Sequence, residues 1–187
     1  MHQKKIAIYG STGSIGKQTL EVISAHPDLF TAEILTAYSN DALLIDQALQ
    51  FIPNIVVIGD ITKYANVKKA LEGKPIKVFA GEEALEQVAG MDCYDFMMAG
   101  IVGFAGLKPT LTAVRNGKTI GLANKETLVV AGDIVMREAK ENKANIIPVD
   151  SEHSAIFQCL VGEEHNPIEK IILTASGGPF LGKKPNF

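Results

Sequence analysis

The chain has 187 residues, of which 47% are hydrophobic, and its 18 basic and 21 acidic side chains leave a net charge of −3. This composition predicts a folded globular protein and excludes a disordered one, and the dispersed charge gives no reason to expect nucleic acid or a membrane surface as a partner. Two cysteines are too few for a disulfide framework, the N-terminus lacks a targeting pattern and no apolar run could span a bilayer, so we expect a cytoplasmic protein.

Short apolar runs rich in β-formers alternate with longer helical patterns along the first 150 residues. The predicted strands, in chain order, are 4–10, 31–39, 54–60, 76–81, 94–100, 118–124 and 144–150. The predicted helices between them are 14–25, 41–51, 61–72, 82–89, 106–116 and 125–142. Apolar strands separated by helices are typical of a parallel sheet covered on both faces. We therefore predict an α/β fold with a doubly wound, mostly parallel, Rossmann-like sheet.

The alternation weakens after about residue 150. One more strand is predicted over 170–180, where "KIILTASGGPF" runs into glycines. The chain then ends on "LGKKPNF", directly after a glycine turn, which favours a fragment of a longer protein.

The first strand-to-helix turn, "GSTGSIG", places Gly10, Gly13 and Gly16 in a variant of the dinucleotide fingerprint. Glycines let such a turn close tightly and approach a pyrophosphate, and the following helix offers N–H groups and a positive dipole end. Hydroxyl groups that could act as further donors belong to Ser11, Thr12 and Ser14. The alternative is a purely structural glycine turn with a serine N-cap.

The predicted second strand ends in "AYSNDA", at the place where a dinucleotide fold contacts the adenosine ribose. Ser39 and Asn40 are neutral, and Asp41 lies one position further along. A carboxylate at this tip would repel a 2′-phosphate, so its absence favours NADP over NAD. However, the motif itself contains no Arg or Lys to hold that phosphate. Equally, Asn40 and Asp41 could simply cap the next helix.

The strand predicted over 118–124 ends in the motif "ANKE", which places Asn124, Lys125 and Glu126 at a predicted helix start. A capped, solvated helix end would explain these residues. Lysine is, however, electrostatically unfavourable at a helix N-terminus, and an anionic or carbonyl ligand nearby would account for it.

"DSEH" (150–153) follows residues 144–149 of the last strand in this alternation. Asp150 and Glu152 could turn two carboxylates towards one point, a donor set that suits Mg²⁺ or Mn²⁺. The alternative is a helix N-cap at Asp150 or Ser151 followed by an acidic first turn. His153 is interpreted as a packed or exposed histidine. In "SGGPF", Ser176 and the glycines after it could either cradle a phosphate or form a turn.

Five segments together resemble one family, 1-deoxy-D-xylulose 5-phosphate reductoisomerase. They are "GSTGSIGKQTL" (10–20), "AGIVGFAGLKPTL" (99–111), "GKTIGLANKETLV" (117–129), "PVDSEHSAIFQ" (148–158) and "ILTASGGPF" (172–180). The resemblance implies an NADP-dependent oxidoreductase that needs NADPH and a divalent metal, Mg²⁺ or Mn²⁺. Its substrate would be the phosphorylated sugar 1-deoxy-D-xylulose 5-phosphate. This would be rearranged to an aldehyde and reduced to 2-C-methyl-D-erythritol 4-phosphate, an isoprenoid precursor.

The resemblance also implies roles for individual residues. Cofactor contacts would come from Gly10, Thr12, Gly13, Ser14, Ile15, Asn40, Asn124 and Glu126. Catalytic and substrate contacts would come from Lys125, Ser151, Glu152 and Ser176, the last of these near the substrate phosphate. The metal would be bound by Asp150 and Glu152.

The implied domains are an NADPH-binding, Rossmann-like domain over 1–149 and the truncated beginning of an α+β catalytic, metal-binding domain over 150–187. The family's third metal carboxylate and its C-terminal helical domain would lie beyond residue 187. The chain would then be roughly the first half of an enzyme that is a homodimer, and we expect it to be inactive by itself. One departure concerns the second strand tip, where Tyr38-Ser39-Asn40 stands in place of a Gly-Lys-Asn-like sequence.

Two other functions remain open at this stage. Another NADP-dependent oxidoreductase, such as a phosphorylating semialdehyde dehydrogenase, would need a thiolate nucleophile. Neither Cys93 nor Cys159 lies at an evident catalytic turn. A nucleotide-binding regulator without chemistry would have no need of "ANKE" and "DSE" at adjacent strand ends.

Overall fold

A computed structural model describes residues 3–163, 165–173 and 182 of the chain. The chain divides into two compact units, Met1–Ile147 and Pro148–Phe187. The first unit contains almost all of the regular secondary structure, whereas the described part of the second contains a single long helix. None of the helices in the described ranges combines the length and the apolar character needed to cross a membrane.

Strands and helices alternate strictly from residue 4 to residue 160. The strands are β1 Lys4–Tyr9, β2 Phe30–Ala37, β3 Ile55–Ile58, β4 Lys77–Ala80, β5 Phe96–Ala99, β6 Thr119–Leu122 and β7 Asn145–Pro148. The helices are α1 Ser14–Ala25, α2 Asp41–Phe51, α3 Tyr64–Ala70, α4 Glu82–Ala89, α5 Leu107–Arg115, α6 Glu126–Glu141 and α7 Ser151–Leu160. Two 3-10 turns, Ile61–Lys63 and Phe104–Gly106, precede α3 and α5.

Within the described residues, seven strands form one sheet in the order β4-β3-β2-β1-β5-β6-β7. The neighbouring pairs from β4 to β6 are parallel, with Tyr9 of β1 in register with Thr36 on one side and Ala99 on the other. The strand order reverses between β1 and β5, and in such folds ligands bind in the crevice outside the carboxyl ends of the strands at this point. The predicted doubly wound, Rossmann-like fold is confirmed.

The two faces of the sheet each have their own core, and β1 shows how the sequence builds both. Ile6 and Ile8 point into the core beneath α1, α2 and α3, whereas Ala7 and Tyr9 point into the core beneath α4, α5 and α6. Since successive side chains of a strand point to opposite faces, a continuous apolar run fills both cores at once. This explains why the strands lack polar alternation.

Several element boundaries agree with the sequence prediction, and the differences have local causes. The helices predicted over 14–25, 41–51 and 82–89 have those bounds. The helix predicted over 61–72 starts instead as a 3-10 turn, because the Asp60 carboxylate accepts a hydrogen bond from the Thr62 N–H at 2.9 Å. The strand predicted over 170–180 is wrong for residues 170–173, which form no regular element; residues 174–180 lie outside the described residues.

Candidate functional site

The turn after β1 lies against the loop after β5. Gly10 has φ +89°, and a Cβ added there would lie 3.1 Å from the carbonyl carbon and oxygen of Gly100. A side chain at Gly10 would therefore be strained by the backbone and blocked by its neighbour. The two loops at the reversal of strand order thus meet backbone to backbone.

Helix α1 begins close to this turn, and within the described chain no side chain accepts a hydrogen bond from its first N–H groups. Gly13 is the N-cap residue, and no side chain in the described chain caps the helix. Gly16 permits the close start, since a Cβ there would lie only 2.5 Å from the Cα of Ser11. Backbone N–H groups at a positive helix end are able to bind an anion. Thr12, Ser14 and Ile15 lie at its rim.

Ser11 supports the turn from below. Its buried hydroxyl donates to Oε1 of Gln47 at 2.7 Å, and its carbonyl accepts from Nε2 of Gln47 at 2.9 Å. The N–H of Ser11 bonds to the Thr36 carbonyl at 2.8 Å, while Thr36 Oγ1 accepts from the N–H of Gly10 at 3.0 Å. The expectation that the Ser11 hydroxyl is available to a ligand is therefore wrong, because it fixes the turn onto α2. Gln47 was not predicted; its only signal is a polar residue beside Leu44 and Ala48 on the buried face of α2.

At the tip of β2, the capping interpretation holds for Asn40. Its Oδ1 accepts from the N–H of Leu43 at 3.2 Å, so the side chain begins α2. Asp41 is engaged on both oxygens, by Nδ2 of Asn66 at 2.7 Å and by Nζ of Lys63 at 3.5 Å. The hydrogen bond from Asn66, helped by the charge of Lys63, holds the pKa of the Asp41 carboxyl below its usual value. Lys63 is thus a cation beside the tip of β2, although the motif "AYSNDA" itself contains none.

A cleft of about 270 Å³ opens at the carboxyl ends of β2 and β5. Tyr38 lines it from the β2 side, and Ile101, Phe104 and Lys108 line it from the β5 side. Tyr38 is 64% exposed and Phe104 66% exposed, so flat aromatic surface is available to a planar ring. A larger groove of about 680 Å³ lies between α3 and β4, but it contains none of the predicted site residues.

Asn124 joins the loops after β5 and β6. It is buried, and its Nδ2 donates to the Gly103 carbonyl at 2.9 Å. Gly106 must lack a side chain for this contact, since a Cβ there would lie 2.5 Å from Nδ2 of Asn124. Within the described chain, the buried Oδ1 of Asn124 and Oγ1 of Thr127 have no hydrogen-bond partner. Such atoms call for water or a ligand, because an unmet buried polar atom costs free energy.

Lys125 and Glu126 follow directly on the surface. Both side chains are exposed, and Lys125 takes the position before α6. No side chain of the described residues caps α6 at this point. Together with the glycine turn and Asn124, these two residues occupy the carboxyl edge of the sheet. The structure therefore brings the cofactor residues predicted around Gly10, Asn40, Asn124 and Glu126 to one edge of the first unit.

The second unit begins with the predicted metal residues. Asp150 caps α7, because its Oδ1 accepts from the His153 N–H at 3.1 Å, and its Oδ2 lies 2.7 Å from Nδ1 of His153. Ser151 is exposed and Glu152 is half-buried. The capping interpretation is thus correct for Asp150. His153 is 57% exposed at its side chain and faces Asp150.

No group of three or more His, Cys, Asp or Glu side chains that could hold a metal ion occurs among the described residues. Asp150 and Glu152 offer oxygen donors of the type that Mg²⁺ and Mn²⁺ prefer, so the donor chemistry fits, although two carboxylates fall short of a full ligand set. Ser176 lies outside the described residues.

Comparison with known proteins gives one consistent result. Residues 6–132 match the family 1-deoxy-D-xylulose 5-phosphate reductoisomerase, and residues 146–186 match its C-terminal domain. Enzymes of this name from Bacteroides fragilis and Porphyromonas gingivalis are 56% and 54% identical over 95% and 96% of the chain, which in both cases spans only 46% of the relative.

Solved structures agree. The reductoisomerase of Zymomonas mobilis in complex with NADPH is 42% identical, with a TM-score of 0.91 over 98% of this chain and 48% of that one. A reductoisomerase in complex with NADPH, fosmidomycin and magnesium is 39% identical, with a TM-score of 0.88 over 97% of this chain and 47% of that one. The chain thus spans about half the length of the relatives it matches.

Proposed function

Because the chain belongs to the 1-deoxy-D-xylulose 5-phosphate reductoisomerase family, we propose that it provides the NADPH-binding part of such an enzyme. The complete reaction would isomerise and reduce 1-deoxy-D-xylulose 5-phosphate to 2-C-methyl-D-erythritol 4-phosphate. The observation that carries the proposal is the turn at Gly10, which meets Gly100 at the reversal of strand order and leaves the start of α1 open to an anion.

The cofactor would lie along the carboxyl edge of the first unit. Residues 12–15 would bind the pyrophosphate, as at other helix N-termini, with the backbone N–H groups of Thr12, Ser14 and Ile15 as donors. The N–H of Gly13 instead donates to the Gly10 carbonyl at 3.1 Å and so holds the turn. The adenosine would enter the cleft lined by Tyr38 and Phe104. At the other end, the unpartnered Oδ1 of Asn124 and the exposed Glu126 would lie beside the nicotinamide. The Zymomonas relative was solved in complex with NADPH, which supports the choice of cofactor.

The segments that follow β6 and β7 would supply contacts to the substrate and the metal. Asp150 and Glu152 would hold Mg²⁺ or Mn²⁺, while Lys125, Ser151 and Ser176 would contact the phosphorylated substrate. A relative solved in complex with fosmidomycin and magnesium supports a magnesium ion and a small-molecule ligand. When bound, NADPH supplies a hydride and the metal polarises the substrate carbonyl. Asp150 would keep its bond to the His153 N–H, which fixes the orientation of its carboxylate.

The domain roles follow from the same proposal. Residues 1–149 would bind NADPH, and residues 150–187 would begin the catalytic, metal-binding domain. Residues that follow the matched segment in the relatives would complete the metal site and form the homodimer. The 187-residue chain would therefore not turn over by itself. The enzyme would act in the cytoplasm, in isoprenoid precursor synthesis.

The alternative dehydrogenase chemistry has weaker support. A nucleophilic cysteine needs a lowered pKa, whereas burial raises the pKa of the half-buried Cys93 thiol. Cys159 is exposed on α7, in the second unit, and no evident catalytic turn surrounds it.

Fluorescence titration with NADPH tests the proposal on the purified protein. Saturable binding is expected, together with consumption of NADPH that depends on 1-deoxy-D-xylulose 5-phosphate and Mn²⁺ once the remaining half of a relative is joined to the chain. Absence of NADPH binding by the folded protein would refute the proposal. Turnover by the 187-residue chain alone would refute only its predicted inactivity.

A further inference from the structure

The tip of β2 needs a cation if the cofactor is NADPH rather than NADH. The tip residues Tyr38, Ser39 and Asn40 carry no charge, and the next residue, Asp41, carries a negative one. A 2′-phosphate placed here without a compensating cation would be repelled. The structure places Nζ of Lys63 3.5 Å from Oδ1 of Asp41, although the two residues belong to different crossover connections.

Lys63 is held next to the tip by backbone contacts. The N–H of Gly59 donates to the Ala37 carbonyl at 2.8 Å, and the N–H of Asp60 donates to the Tyr38 carbonyl at 2.7 Å. The Asp60 carboxylate then starts the 3-10 turn Ile61–Lys63 by accepting from the Thr62 N–H and hydroxyl at 2.9 and 2.7 Å. The end of β3 is thus hydrogen-bonded to the end of β2. The 3-10 turn that follows β3 therefore places Lys63, a cation, beside the tip of β2.

The Lys63 side chain is also free to change partner. It is 43% exposed, and its contact with Asp41 is a long ion pair, which contributes little when solvated. Asp41 does not depend on it, since Nδ2 of Asn66 holds its other oxygen at 2.7 Å. A flexible lysine stem can therefore exchange the carboxylate for a doubly charged phosphate close by.

We propose that Lys63 binds the 2′-phosphate of NADPH and gives the protein its preference for NADPH over NADH. This inference rests on the proposed function, and it names the residue that replaces a lysine missing from the β2 tip. The charged groups around this position are Asp41, Asp60 and Lys63 at the tip, and Glu82 and Lys108 in the cleft beside Tyr38. Removal of Lys63 would leave the carboxylates of Asp41 and Asp60 beside the tip.

The test measures dissociation constants for NADPH and NADH by fluorescence titration of the purified protein. Lys63→Ala is expected to weaken NADPH binding about tenfold, the usual cost of a lost charged hydrogen bond, and to leave NADH binding within about twofold. Lys63→Arg retains the charge and should retain the preference. The matched control is Lys69→Ala, which removes the same charge from α3, where Lys69 lines the groove against β4.

Lys108, which lines the cleft beside Tyr38, is the competing cation. Lys108→Ala should leave the ratio of the two dissociation constants unchanged. The inference is overturned if Lys63→Ala keeps the wild-type ratio, if Lys108→Ala changes it instead, or if the wild type binds both cofactors equally. If the folded wild type binds neither dinucleotide, the proposed function fails, and the inference fails with it.

Discussion

Gly10 and Gly100 meet backbone to backbone at the reversal of strand order, where a Cβ on Gly10 would lie 3.1 Å from the Gly100 carbonyl carbon. This contact joins the ends of β1 and β5, the two strands that flank the crevice. It explains why the glycine motif occurs at this turn: the backbone must adopt φ +89° and must also leave space for its neighbour.

Gly10→Ala should weaken NADPH binding by about tenfold or more, because the turn must move to accommodate both the strain and the contact. The matched control is Gly73→Ala, which has a similar φ of +76° but no described heavy atom within 4 Å of the added Cβ. Both variants should lose about 1 kcal/mol of unfolding free energy from backbone strain. Equal NADPH affinities in the two variants would show that the close contact does not shape the site.

The hydrogen bonds between Ser11 and Gln47 predict that a substitution at Gln47 destabilises the protein, whereas a substitution on the exposed face of α2 does not. Gln47→Leu leaves the buried hydroxyl and carbonyl of Ser11 without partners, so the free energy of unfolding should fall by about 1–3 kcal/mol in denaturant titration. Gln50→Leu changes an exposed position of α2 and should stay within about 0.5 kcal/mol of wild type. If the two losses are alike, Ser11 does not depend on Gln47.

Thr127 and Thr36 allow the same substitution at two buried hydroxyls that differ in their partners. Thr127→Val removes a hydroxyl that has no partner in the described chain, so unfolding free energy should be unchanged or rise by up to about 1 kcal/mol. Thr36→Val removes the acceptor of the Gly10 N–H and should cost about 1–2 kcal/mol. A loss at Thr127 as large as that at Thr36 would reveal an ordered partner such as water.

Asp150 caps α7 and is proposed to bind the metal, and one substitution can separate these two roles. In the chain joined to the remaining half of a relative, Asp150→Ser keeps an oxygen that can cap α7 but removes the carboxylate. Thermal stability should therefore hold, while Mn²⁺ binding, followed by electron paramagnetic resonance, should fall. Asp150→Ala should lose both the Mn²⁺ affinity and about 1 kcal/mol of stability. Wild-type Mn²⁺ affinity in Asp150→Ser would mean that this residue is only a cap.

The sequence predicted the elements whose causes are local. Helix α2 begins at Asp41 because Asn40 caps it, and this cap was visible in "SNDA". The apolar strands predicted a sheet covered on both faces, and the two cores on either side of β1 confirm it. The glycine motif likewise marked the turn that the fold places beside β5.

The features that the sequence did not predict depend on contacts between distant segments. Gln47 bonds to a residue 36 positions away, and nothing around it marks it as part of the glycine turn. Lys63 reaches Asp41 only because β3 pairs with β2 in a fixed register. Asp150 shows the contrast, because its cap of α7 is a local contact and is one of the alternatives that "DSEH" offered.

Backbone amide chemical shifts measured during an NADPH titration test the central claim most directly, since they report the site residue by residue. With saturating NADPH, the largest changes in the first unit should fall on Thr12, Gly13, Ser14 and Ile15, and the amides around Lys69 and Lys74 in the α3–β4 groove should not move. Saturable binding that leaves residues 12–15 unperturbed, or that moves the groove instead, would contradict the account.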